Sequence, residues 1–92
     1  MKTGIALIAG ERHEQITKHG WDVINDSCYK DEELLKAALF CIDQKRFEFP
    51  FGWYAYFRNK ILAKSRIDQL KVAGAFIAAE IDRLLAIENK EK

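Results

Sequence analysis

KVAGAFIAAEIDRLL, residues 71–85, decides how this chain folds. Extended a turn toward the N-terminus, it places Ile67, Leu70, Gly74, Ile77, Ile81 and Leu84 at alternating spacings of three and four, the seam of a packed helix. Val72, Phe76 and Ala79 form a second apolar stripe on the far side. A helix that is apolar on two sides is either central to its own domain or shared with another chain. Ala73, Gly74, Ala75, Ala78 and Ala79 are small, so a neighbouring helix has room to approach closely. The spacing predicts a long helix, capped by Ser65 with Asp68 three residues on. Interior packing is the expected role of its stripes, and a homo-oligomer through this last helix is the expected assembly.

The rest of the chain fits an all-α fold. With 92 residues it reads as a single helical domain, 1–92, whose core is small and gains from self-association. Thr3 is placed to cap a first helix running to about His19, with Gly20 as its left-handed stop and Trp21 folding back onto Ile16. Gly10 inside that helix costs about 1 kcal/mol relative to alanine, so a bend or a later start is expected. Residues 21–30 have no period and read as a loop. Asp31 then caps a second helix, Glu32 to Asp43, that buries Leu34, Leu35, Ala38, Leu39 and Ile42. FEFPFGW, residues 47–53, alternates like a short extended stretch, and Pro50 and Gly52 oppose a helix there. A short helix from Trp53 to Ala63 follows. The expected architecture is three long helices plus a short aromatic-rich helical or extended segment, assembled as a dimer.

Composition excludes several function classes. Nearly half the residues are hydrophobic and about a third are charged, which suits a folded globule. Net charge is +1, so no global field draws the chain to nucleic acid or to a membrane. No run approaches the roughly 20 apolar residues of a membrane span, and MKTGIALIAGER lacks a full signal-peptide core and cleavage site. Cys28 and Cys41 have neither CxxC nor zinc-finger spacing, and read as reduced thiols of a cytoplasmic protein. No phosphate loop, nucleophile elbow or dinucleotide fingerprint is present.

What remains is a set of acids and a basic aromatic block. Glu80 interrupts the apolar helix, and a carboxylate flanked by apolar residues needs an ion pair, a hydrogen bond, a cation or an exposed edge. The bland reading is a pair with a basic residue from another helix. Glu11 and Glu14, three apart on one face, could hold a divalent cation or merely line the surface. Glu33 reads equally as a first-turn acid. Phe47, Phe49, Phe51, Trp53, Tyr54, Tyr56 and Phe57 lie among Lys45, Arg46, Arg58, Lys60, Lys64 and Arg66. Rings beside cations suit base stacking, but in a domain this small they more often roof the core. Nucleic-acid binding is therefore the weakest reading.

ERHEQITKHGW (11–21), EELLKAA (32–38) and KVAGAFIAAEIDRL (71–84) together resemble a family of small phage and prophage proteins. That family is remotely similar to the all-α, MazG-like nucleotide pyrophosphohydrolases. The resemblance implies an oligomeric helical protein in which an ExxE motif and a later ExxD motif hold Mg²⁺ for attack of water on a nucleoside triphosphate. Carried over, Glu11 and Glu14 match ExxE. Glu33 matches the first acid of the second motif, but Lys36 stands where its Asp belongs, and Glu80 or Asp68 would have to compensate. Lys71 and Arg58 would then meet phosphates, and Trp53 would stack the base. The alternative is a non-catalytic interaction module that uses segment 47–57 and the last helix.

Overall fold

A computed structural model describes residues 3–19, 33–50, 53 and 55–91. Among them the fold is all-α. Helix α1 spans Gly4–His19, α2 spans Glu33–Ile42, α3 spans Ala55–Ala63 and α4 spans Arg66–Glu91. The Gly20 stop with its Trp21 contact, the loop 21–30 and the Asp31 cap lie outside the described residues. No strand is present among the described residues, so the extended segment expected near residue 47 is instead a turn and irregular chain.

The caps explain the boundaries. Thr3 Oγ1 accepts from the Ala6 amide at 3.2 Å and the Thr3 carbonyl accepts from Leu7 at 3.0 Å, which starts α1. Gly10 stays inside an unbroken 16-residue helix, with nothing near its Cα that a side chain would meet. Ser65 repeats the device: its Oγ accepts from the Asp68 amide at 3.2 Å and its carbonyl from Gln69 at 2.9 Å. Helix α2 ends where Gln44 Nε2 donates to the carbonyls of Phe40 and Cys41, at 2.7 and 2.8 Å. Asp43 Oδ1 then accepts from the Lys45 and Arg46 amides and turns the chain.

Helix α4 is the hub: α1 and α2 both pack on it. Its 26 residues, about 39 Å at 1.5 Å per residue, compare with a longest molecular extent of 41 Å. Arg66, the first residue of α4, donates to the Cys41 carbonyl at 3.4 Å near the end of α2, so the two helices run antiparallel. Gln69 Nε2 donates to the Ile61 carbonyl at 3.0 Å near the end of α3. The first turn of α4 thus satisfies carbonyls of both preceding helices.

The core joins Leu34, Ala37, Ala38, Phe40 and Cys41 of α2 to Val72, Ala73, Phe76 and Ala79 of α4, with Ile61 from α3. Four rings run through it edge to face or tilted: Phe40 to Phe49 at 5.3 Å, Phe49 to Trp53 at 5.6 Å and Trp53 to Phe76 at 5.8 Å. They pin Phe49 and Trp53 onto the helices.

Two expectations change here. Leu35 and Ile42, expected in the core, are exposed, and Ala37 and Phe40 take their place. Of the two stripes on α4, the one through Val72, Phe76 and Ala79 faces inward. The seam through Ile67, Leu70, Ile77, Ile81 and Leu84 faces outward, each residue 42–68 % exposed. The physical reason is volume. Phe76 fills the space between helices, and the alanines at 73, 75 and 79 let the backbones close around it.

Helix α1 docks differently. Its buried side chains are polar, Arg12 and Gln15. Arg12 Nη2 and Nε reach Asp82 Oδ2 at 3.2 and 3.4 Å, and Nη1 donates to Gln15 Oε1 at 3.3 Å. Its apolar contact is Ile8 against Gly74. A Cβ built on Gly74 would lie 2.5 Å from Ile8 Cδ1 and 2.7 Å from Cγ1. Gly74→Val should therefore destabilise the fold despite its better helix propensity, and Ile8→Ala should recover part of the loss. A double-mutant cycle by urea unfolding should return a coupling of about 1–2 kcal/mol, and additive effects would contradict this packing.

Candidate functional site

The acids named from sequence are dispersed. Glu14 lies on the exposed side of α1, Glu11 is half-buried one turn before it, and Glu33 is half-buried at the start of α2. Glu80 has found its counter-ion one turn along its own helix. Arg83 Nε donates to Glu80 Oε1 at 2.5 Å and Nη2 to Oε2 at 3.2 Å, with both side chains largely buried. A fork-to-fork pair of this kind meets the cost of placing a carboxylate among apolar neighbours. The pair expected from a second helix is thus made within α4, at the i, i+3 spacing that the sequence already contained.

Among the described residues, no three of His, Cys, Asp and Glu gather where they could hold a metal ion. Among the described residues, Glu11, Glu14, Glu33 and Glu80 do not form such a group, and no step is derived through the Mg²⁺ that the resemblance implies. An oxygen-rich octahedral shell needs convergent carboxylates, and here one is committed to arginine and another faces solvent.

Of the expected substrate residues, Trp53 and Arg58 line one hollow together, and Lys71 lies on α4. Trp53 is half-buried between Phe49 and Phe76, so the core holds both neighbours of its ring. Arg58 sets its guanidinium 5.7 Å from the Phe40 ring centroid, a cation–π contact over the aromatic run. Lys71 Nζ lies 3.5 Å from Asp68 Oδ1, a pair within the first turns of α4. Phe51 and Tyr54 lie outside the described residues.

Among the described residues, concave features bring side chains of different elements together in three places. A cavity of about 60 Å³ lies between α1, α3 and α4, with Phe57, Ile61, Val72 and Phe76 as apolar walls and Glu11, Lys60 and Lys64 among its polar lining. Gln15 also lines it; its side chain is 2 % exposed and its Nε2 has no protein acceptor. Such a space takes about two water molecules or one carboxylate-sized group. Two more open hollows, of about 360 and 510 Å³, lie over the basic aromatic segment, and the larger is lined by Arg46, Phe47, Trp53 and Arg58 among others; their volumes fall in the several-hundred-Å³ range of ligand clefts. Sequence reading missed Gln15, because a glutamine in an amphipathic helix carries no signal of burial.

No family model matches this chain, and no curated protein and no solved structure proves similar to it. No helix among the described residues is long and apolar enough to cross a membrane.

Cys41 is a free thiol in the core. Burial pushes it up to about 12 from an ordinary 9.0, with Lys64 pulling it down and Glu11 pushing it up as smaller influences. The folded value lies above the unfolded one. The contribution to stability is therefore complete below about pH 9 and is lost as pH rises toward 12. Iodoacetamide at pH 8.5 should reach Cys41 only through unfolding, so its modification should accelerate with urea in step with the unfolded fraction. Fast labelling of Cys41 in native protein would contradict its burial.

The outward stripe of α4 is an exposed aliphatic row. It covers residues 67–84, its members recur at the coiled-coil spacing, and Leu85 beside it is half exposed. Single exposed leucines are ordinary on a protein surface, but a continuous aliphatic row along one helix is not. Ile8 supports it at Gly74, where it stands in the place of a side chain.

Proposed function

We propose that this chain is a non-catalytic helical interaction module whose working surface is the outward stripe of α4. One observation carries this reading: two apolar stripes share one helix, the core consumes one, and the other is left along the surface at helix-pairing period. The acids support it too, since Glu80 pairs with Arg83 and the described acids do not converge. Trp53 packs half-buried against the core.

The pyrophosphohydrolase reading rests on the resemblance alone, and a direct assay separates the two. With a panel of deoxynucleoside triphosphates and Mg²⁺ or Mn²⁺, the wild type should release pyrophosphate no faster than Glu11→Gln. The same nucleotides should leave its melting temperature unchanged. Release that depends on Glu11 would contradict the module reading.

A further inference from the structure

We infer that the occupant of the α4 stripe is a second copy of this chain, paired antiparallel about a two-fold axis near residues 75 and 76. This inference rests on the module reading and names its partner.

The stripe is complementary to itself. Set antiparallel, Ile67 meets the partner's Leu84, Leu70 meets the partner's Ile81, and Ile8, which covers Gly74, meets the partner's Ile77. Each seam position then has an apolar counterpart, as a two-fold interface requires. Ile8 keeps the row continuous at Gly74. About half of each of Ile67, Leu70, Ile77, Ile81, Leu84 and Leu85 remains to be buried, roughly 500 Å² per copy. With the polar flanks added, this approaches the roughly 800 Å² per partner of a standard interface.

Charge decides the direction. Residues flanking a coiled-coil seam meet across the interface and set orientation. A parallel pair would place Arg66 against the partner's Lys71, and the same repulsion would occur again on the other side. An antiparallel pair sets Arg66 between the partner's Glu80 and the partner's Ile87, the positions on its own side of the seam, and sets Lys71 opposite the partner's Ala78 and the partner's Leu85. No like charges then meet, and the helix dipoles oppose each other.

The test places a nitroxide at Asn89→Cys in full-length protein carrying Cys28→Ser, with Cys41 protected by burial. Electron–electron distances and solution mass are measured, together with carbene footprinting of the aliphatic side chains. A dimer with labels roughly 40 Å apart and a protected stripe is the expected result. Labels within roughly 20 Å would overturn the antiparallel arrangement. A monomer with a reactive stripe would overturn self-pairing while the module reading stands. A monomer with a protected stripe would overturn both.

Discussion

Truncating Phe76 to alanine should cost about 3–5 kcal/mol of folding free energy, the range for large buried aromatics. The side chain is 2 % exposed and belongs both to the core and to the ring series through Phe49 and Trp53. Its loss opens a cavity that rigid backbones close only in part, and it removes the neighbour of Trp53. A domain of this size has roughly 5–10 kcal/mol to lose, so the variant should be marginal at 37 °C. Urea unfolding followed by tryptophan fluorescence measures this directly. Tyr56→Ala, at a side chain 65 % exposed, should move stability by about 0.5 kcal/mol or less. If Phe76→Ala cost under 1 kcal/mol, the inward stripe would not be the core.

Replacing Ile77 and Ile81 together by glutamate should weaken self-association at least ~100-fold and leave the helical content of the isolated chain intact. The two side chains are 42 and 51 % exposed within one chain, so their loss opens no cavity there. In a pair they face apolar side chains across a dry seam, where unpaired carboxylates are strongly disfavoured. Ile81→Leu, which keeps the volume and the apolar surface, should change association only slightly. Analytical ultracentrifugation gives the dissociation constants, and circular dichroism at low concentration gives the helix content. Unchanged association in the double variant would place the interface elsewhere.

Much of this fold was legible in the sequence because the signals were local. Thr3 and Ser65 mark the starts of α1 and α4 through side-chain acceptors at the expected spacing. The period of residues 67–84 announced the long helix. Which stripe turns inward was not legible, since both are apolar at helical spacing. The choice is made by Phe76 filling the gap to α2, a tertiary fact. Leu35 and Ile42 were misplaced for the same reason: a rotation of α2 about its axis exchanges them for Ala37 and Phe40.

The site was less legible still. ExxE spacing says that two carboxylates share a helix face. It does not say whether acids from other helices converge with them. Glu80 is recognisable as needing a partner, but the sequence does not say whether a basic residue of another helix or Arg83, one turn along its own, supplies it. The polar docking of α1 through Arg12, Gln15 and Asp82 depends on contacts 70 positions apart in the chain, which no local pattern encodes.

Sedimentation equilibrium of the full chain in physiological salt, from about 1 to several hundred micromolar, tests the central claim most directly. An exposed stripe that pairs with its own copy should give a concentration-dependent mass that reaches twice the 10.7 kDa of the chain. A single species of 10.7 kDa across the whole range would contradict it.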